Sequence, residues 1–163
     1  ETISNLIKAG AERVILSSLA IENLRFVTEA SAYFGSSTIS VCVDYKKNIW
    51  GKQNVYTKSG KINMGTDVIS MATQIQKAGA GEIILQSIDS DGTMQGYDLE
   101  MIQKISSALT IPLVALGGAG SIDDIKAGYK ALATGLAAGS FFVFTGKFRG
   151  VLIQYPTINE YNF

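Results

Sequence analysis

Two stretches of ten residues decide the fold: "AGAERVILSS" at residues 9–18 and "AGAGEIILQS" at residues 78–87. They are identical at six of ten positions and begin 69 residues apart. In each stretch a glycine ends a helical segment, and a short apolar run typical of a buried strand follows it. In an open flavodoxin-like sheet such a repeat would be accidental, whereas a barrel built by duplication predicts it.

Strand and helix patterns alternate along the chain on both sides of this repeat. Apolar runs predict five strands, at 13–18, 38–44, 82–88, 112–118 and 135–144. Helical spacing predicts a first helix that ends at Gly10 and further helices at 21–35, 65–79, 98–109 and 121–132. Such alternation predicts a parallel sheet with helices on its faces.

The length limits how much of a barrel the chain can hold. A complete eight-stranded barrel needs about 250 residues, and this sequence has 163. We therefore expect an α/β fold of the (β/α)8 TIM-barrel family, present as a fragment of about five βα units. Residues 1–163 are expected to form a single domain that is an N-terminally incomplete barrel. The segment 46–65 interrupts the alternation, and its Trp50-Gly51 pair predicts a β-hairpin.

The composition excludes several classes of function. Fourteen basic and fourteen acidic side chains give a formal net charge of zero, so we expect no nucleic-acid partner. No apolar run approaches the ~18 residues of a membrane span and no leader pattern opens the chain, so we expect a cytoplasmic protein without a membrane partner.

The absence of histidine, together with a single cysteine, restricts the chemistry further. Cys42 lies in an apolar run and is expected in the core. Because the chain has no second thiol and no histidine, an internal disulfide and a zinc site are excluded. We expect neither a metal nor a cofactor. Any proton transfer would be carried by carboxylates or lysines, because the usual general base is missing.

Two aspartates follow predicted strands, where barrel enzymes place functional groups. Asp44 ends the strand at 38–44, and Asp91 follows the strand at 82–88. Two carboxylates at such positions can divide acid and base roles if their environments separate their pKa values. Spacing alone leaves open whether Asp44 is catalytic or caps a turn.

The stretch "LQSIDSDGTMQGYD" at residues 85–98 has a second interpretation, as a calcium-binding loop. With Ser87 as first ligand, three aspartates and a glycine fall at loop positions three, five, six and twelve. A calcium hand requires a helix before the loop and a bidentate glutamate at the twelfth position. Here a strand precedes the loop and the twelfth residue is Asp98, so we reject calcium as the leading interpretation.

Glycine-rich turns suggest where an anion would bind. Gly117 and Gly118 precede a helix whose expected N-cap is Ser121, and "AAGS" at 137–140 offers further amides from Gly139 and Ser140. The spacing is not that of a dinucleotide site. A tight turn that needs glycine for backbone reasons is the alternative. Ser17 and Ser18 end the first predicted strand and offer a second phosphate site, although a plain turn explains them equally well.

At this point the sequence resembles the cyclase subunit family of imidazole glycerol phosphate synthase. The resemblance covers the part of that barrel from its third helix to its end. It rests on motifs in the right order and spacing: "GAERVILSSLAIEN", "VDYKK", "YTKSGKINMG", "GAGEIILQSIDSDGTMQGYD", "LGGAG" and "LAAGS". It implies an internally duplicated barrel that takes ammonia from a glutaminase partner docked on the barrel bottom. The family uses that ammonia to convert a phosphorylated substrate, a phosphoribulosyl-formimino nucleotide, into imidazole glycerol phosphate and an aminoimidazole ribonucleotide.

The resemblance also implies roles for individual residues. Asp44 matches a catalytic aspartate, whose catalytic mate lies on the family's first strand, which this sequence does not contain. Phosphate sites are implied at two places, one formed by Ser17 and Ser18 and the other by Gly117, Gly118, Gly139 and Ser140.

Further matches concern substrate closure and ammonia transfer. Asp91 and Gly92 match the loop that closes around the substrate, and Ser59-Gly60 match a hairpin near it. Arg13 and Glu82 begin their strands and match a charged ring through which ammonia passes. As exposed charges they could equally be solvated, but their equivalent places in the repeat favour a ring.

Some positions depart from the family pattern. Gln86 stands where threonine is usual, Leu116 where serine is usual, and the tail "FVFTGKFRGVLIQYP" at 142–156 differs from the histidine-pathway enzyme. These departures resemble a divergent branch that supplies ammonia to amidate a sugar in surface polysaccharide biosynthesis. A third interpretation, of another class, is a non-catalytic fragment or scaffold that binds the glutaminase.

Overall fold

The sheet places its parallel strands in the order of the chain, which is the order found in a barrel. The computed structural model describes residues 2–146, 148–153 and 155–157, and the rest of the predicted domain 1–163, including Lys147 and Gln154 of the tail, lies outside the described residues. The helices are α1 (Thr2–Lys8), α2 (Ser18–Glu22), α3 (Leu24–Phe34), α4 (Val68–Lys77), α5 (Leu99–Ala108), α6 (Ile122–Lys130) and α7 (Ser140–Val143). The strands are β1 (Val14–Leu16), β2 (Ile39–Lys47), β3 (Gln53–Thr57), β4 (Ile62–Asp67), β5 (Glu82–Ser87), β6 (Leu113–Leu116), β7 (Gly135–Ala137), β8 (Phe144–Thr145) and β9 (Gly150–Val151).

Five strands are mutually parallel, and each pairs with the next parallel strand along the chain: β1 with β2, β2 with β5, β5 with β6 and β6 with β7. An open doubly wound sheet instead reverses its strand order at a switch point. The predicted α/β fold with about five parallel βα units is confirmed.

The predicted hairpin at 46–65 is also confirmed, as β3 and β4. Both are antiparallel to their neighbours, and β3 pairs with the second half of β2, where Asp44 lies opposite Tyr56. The first half of β2 pairs with β1, with Val14 opposite Ile39. The long strand β2 thus joins the parallel sheet to the hairpin, and Asp44 lies where the two meet.

Alternation along β2 separates the core from the site. Val41, Val43 and Tyr45 are at most 3% exposed and pack in the main core with side chains of the helices. The intervening side chains, Cys42 and Asp44, point to the opposite face and are only partly buried. The period of two therefore fixes which β2 residues face the interior of a barrel and which face its helices.

Several predicted elements were wrong in extent, including the helix predicted at 65–79, whose first three residues belong to β4. The strand predicted at 135–144 ends at Ala137, and Ser140–Val143 forms α7 instead. The helix predicted at 21–35 is divided at Asn23, whose side chain accepts a hydrogen bond from the Phe26 amide and caps α3. An apolar run as short as "FFVF" has no periodicity that separates strand from helix.

No helix in the described ranges is long and apolar enough to cross a membrane.

Candidate functional site

Asp44 lies towards the carboxyl end of β2, and its carboxylate is partly buried. The thiol of Cys42, two residues earlier on the same face, donates a hydrogen bond to Asp44 Oδ1 over 3.3 Å. Gln86 is the register partner of Asp44 on β5, and its Oε1 lies 3.7 Å from Cys42 Sγ. Cys42 is therefore not the fully buried core residue that its apolar neighbours predicted.

Burial governs the titration of this pair. It raises the pKa of Asp44 above the ordinary value of 3.8, and the hydrogen bond from Cys42 offsets only part of that rise. Burial also raises the pKa of the Cys42 thiol to about 12, and the charge and hydrogen bond of Asp44 add to the rise. Cys42 thus stays a neutral donor, and Asp44 keeps its proton to a higher pH than an exposed aspartate.

Lys46 brings a cation to the same face of β2, two residues beyond Asp44. Its ammonium donates to the Gly60 carbonyl over 2.9 Å and lies 4.5 Å from the centroid of the Tyr56 ring. Sequence reasoning missed Lys46, although the alternation of side chains along a strand places it on the same face as Asp44.

The β5–α5 loop, residues 88–98, carries Asp91 at an exposed position. The amide of Asp91 donates to the Ser87 carbonyl over 3.0 Å, which fixes the first turn of the loop. Asp89 accepts from the Lys47 amide, and Asp98 accepts from the Met101 amide as the N-cap of α5 and also from Tyr45 and Gln53.

The carboxylates of Asp89 and Asp98 therefore already accept hydrogen bonds from backbone and side-chain donors. The loop thus gives no support to the calcium interpretation. Within residues 2–146, 148–153 and 155–157, no group of three or more His, Cys, Asp or Glu side chains could hold a metal ion.

The two glycine segments differ in whether close packing requires a glycine there. Gly117 and Gly118 have φ values of 100° and 108°. A Cβ on Gly118 would overlap the Gly96 carbonyl, and one on Gly117 would lie 2.6 Å from the Ser87 carbonyl. Close packing against the β5–α5 loop thus requires both glycines. A Cβ on Gly139 would meet nothing within 4 Å, so packing does not explain that glycine.

The β5–α5 loop also lies beside α7 and the tail. The nearest atom to a Cβ built on Gly92 is Ser140 Oγ, at 4.0 Å. Arg149 Nη2 donates to the carbonyls of Gly92 and Thr93 over 2.9 and 3.0 Å. The loop, Ser140 and Arg149 form one contact region at the carboxyl ends of the strands, and sequence reasoning did not select Arg149.

The predicted serines lie at the start of α2 rather than on the first strand. β1 ends at Leu16, Ser17 is the N-cap position of α2, and Ser18 is its first residue. Ser18 Oγ accepts from the Lys58 amide over 2.9 Å. This bond joins α2 to the hairpin turn, in which Ser59 and Gly60 adopt φ values of 57° and 77°.

Arg13 and Glu82 meet at the opposite end of the strands. Arg13 Nη1 lies 2.6 Å from Glu82 Oε2, and Ser40 donates to the other carboxylate oxygen over 2.8 Å. Arg13 Nε also donates to the Ser37 carbonyl over 3.1 Å. The two residues at equivalent places of the repeat thus form a direct ion pair.

The predicted residues therefore fall into two regions. One region, at the carboxyl ends of the strands, contains Asp44, Asp91, Gly92, Gly117, Gly118, Gly139, Ser140, Ser17, Ser18, Ser59 and Gly60. The other, at the amino ends, contains Arg13 and Glu82. This division separates a candidate reaction face from a candidate bottom face.

Comparison with known proteins gives the family of the chain. Residues 1–149 match the family described as histidine biosynthesis protein. The chain belongs to this family.

Relatives within the histidine biosynthesis protein family cover most of the chain. An imidazole glycerol phosphate synthase subunit of Sulfolobus acidocaldarius is 45% identical over 141 residues, which are 86% of this chain and 56% of that protein. A Vibrio vulnificus relative, provisionally named as a subunit of the same enzyme, is 43% identical over 162 residues, or 98% of this chain. The chain spans 62% of the length of that relative.

Proposed function

We propose that this chain is part of the ammonia-dependent cyclase subunit of a glutamine amidotransferase complex, of the imidazole glycerol phosphate synthase type. One observation carries the proposal: Asp44 lies at the reaction face with a raised pKa and with only a neutral thiol donating to it. A carboxyl group so placed keeps its proton to a higher pH than an exposed aspartate, which suits general acid–base catalysis.

The other residues of the reaction face have supporting roles in this proposal. Asp44 exchanges a proton with the substrate as the nitrogen of ammonia is incorporated and the ring closes. Asp91, on the exposed loop, is the second acidic group. Gly117, Gly118, Gly139 and Ser140 hold one phosphate of the substrate through amides and a hydroxyl, Ser17 and Ser18 hold the other, and Ser59, Gly60 and Gly92 line the substrate.

The opposite end of the strands serves the partner in this proposal. The Arg13–Glu82 pair, 2.6 Å apart, is partly accessible, with Arg13 48% exposed. A glutaminase subunit docked there would deliver ammonia past this pair to the reaction face. The "subunit" in the names of the relatives supports such a complex.

The proposal is tested by replacing Asp44 with asparagine in the full-length protein. We expect a loss of ammonia-dependent turnover of about a hundredfold or more, because an amide cannot exchange the proton. Asp123→Asn, which makes the same chemical change at an exposed position on α6, is the matched control and should retain activity. Near-normal turnover by the Asp44 variant would refute the assignment.

Among the residues that the structure describes, no particular contact favours amidation of a surface-polysaccharide sugar over the histidine intermediate. Both substrates should be assayed with the same protein.

A further inference from the structure

We propose that Arg149 is a positioning residue: it holds the β5–α5 loop against α7, with Gly92 beside Ser140, so that Asp91 stays on the reaction face. This inference rests on the proposed function, because it assigns a purpose to the placement of Asp91.

The contact is specific in its geometry. One guanidinium nitrogen, Nη2, donates to two consecutive carbonyls, those of Gly92 and Thr93. These carbonyls directly follow Asp91 in the chain. Hydrogen bonds from a charged donor are stronger than neutral ones, so Arg149 restrains the backbone that carries the Asp91 side chain.

The tail places Arg149 by its own turn. β8 and β9 pair with Thr145 opposite Gly150, and the Arg149 amide donates to the Gly146 carbonyl over 3.1 Å. Arg149 has a φ of 51°, a left-handed conformation that is uncommon for a side chain of this size. The small hairpin thus holds a strained residue whose side chain reaches a loop 56 to 57 positions earlier in the sequence.

The β5–α5 loop has an irregular backbone. Gly92, Met94 and Gly96 have φ values of 73°, 59° and 95°. Its internal hydrogen bonds include those from the Asp91 and Thr93 amides to the Ser87 and Ser90 carbonyls. On the far side, the Gly96 amide donates to the Gly118 carbonyl over 2.8 Å. Arg149 therefore fixes the middle of a loop whose two ends are already held.

The clamp is tested on this chain by hydrogen exchange of the loop amides. Arg149→Ala should speed exchange at residues 91–95 by about tenfold, the effect of losing roughly one net hydrogen bond. Arg149→Lys, which keeps a charged donor, should restore part of the protection. Arg25→Ala, which removes an exposed arginine paired with Glu29 on α3, is the control. Unchanged exchange in Arg149→Ala would overturn the proposal.

The role of the clamp in catalysis is tested by a double-mutant cycle in the full-length protein with ammonia. Arg149→Ala should lower kcat, and Arg149→Ala with Asp91→Asn should be no slower than Asp91→Asn alone, since Arg149 acts through Asp91. Additive losses, or full activity of Asp91→Asn, would overturn the positioning role. If the wild-type protein turns over neither substrate, the proposed function fails, and the exchange experiment still decides whether Arg149 clamps the loop.

Discussion

At the scale of the residue, Asp44 illustrates a conflict between stability and reactivity. Its carboxylate is partly removed from water, and the hydrogen bond from Cys42 compensates only in part. A buried carboxylate is costly to ionise, so the same environment that suits proton transfer also weakens the folded state at neutral pH.

This conflict predicts a pH-dependent difference in stability between the wild-type chain and Asp44→Asn. Because the folded-state pKa of Asp44 is raised, its contribution is fully present below the ordinary pKa of 3.8 and is lost as pH rises through the folded-state pKa. As pH rises from 3.8 through the folded-state pKa of Asp44, the unfolding free energy of the wild type should therefore fall relative to that of Asp44→Asn. Urea unfolding at a series of pH values measures the difference, and a constant difference would contradict it.

The placement of Asp44 near the carboxyl end of a strand could be predicted from sequence, because it is the polar residue that closes an apolar run. The strand end itself was predicted too early, since β2 continues to Lys47. The thiol beside Asp44 could not be predicted. Predicting that Cys42 donates to Asp44 requires knowing that both lie on the less buried face of β2. The apolar neighbours of Cys42 suggested the core because they occupy the other face.

At the scale of the element, the loops after β5 and β6 form one packed unit. The carbonyls of Gly96 and Ser87 lie where Gly118 and Gly117 would carry a Cβ. The loop after β7 lacks this constraint, since the space around Gly139 is open and its φ is −114°.

Replacing Gly118 or Gly139 with alanine should show at which of the two turns close packing requires glycine. Gly118→Ala should lower the unfolding free energy by about 3 kcal/mol, because a Cβ overlaps backbone at a positive φ. Gly139→Ala should be neutral or should stabilise by up to about 1 kcal/mol. Chemical denaturation measures both, and equal losses would show that the two turns are not constrained differently.

Element boundaries were predicted well where turns carry their own signal and poorly where they do not. Asp98 and Ser121 cap their helices as polar residues before apolar periodic segments should. The helix predicted from residue 65 begins only at Val68, because residues 65–67 belong to β4. The end of β7 could not be predicted from "GLAAGSFFVF". The backbone at Gly139 turns away from the sheet, and the apolar residues beyond it suit a strand or a short helix equally.

At the scale of the whole molecule, the parallel sheet has an open side at β1. An apolar groove of about 850 Å³ is lined by side chains of α1, β1 and α3, and Ile15 of β1 is 59% exposed. In a closed barrel both edges of every strand are paired.

The isolated chain is expected not to catalyse. We expect no ammonia-dependent turnover by this chain alone, because the resemblance places the catalytic mate of Asp44 on a strand that this sequence does not contain. Circular dichroism would confirm that the chain is folded, and assays of the chain and of the full-length protein at equal concentration measure the difference. Comparable turnover by both would show that one carboxylate suffices, and activity in neither would favour the scaffold interpretation.

The Arg13–Glu82 pair also distinguishes the two copies of the repeat. The two residues occupy equivalent positions of the repeat, so a chain with two identical copies would carry the same side chain at both places. Like charges so close would repel each other. The attraction at 2.6 Å therefore requires that the two copies differ at this position. A change at either residue leaves the other without its charged partner.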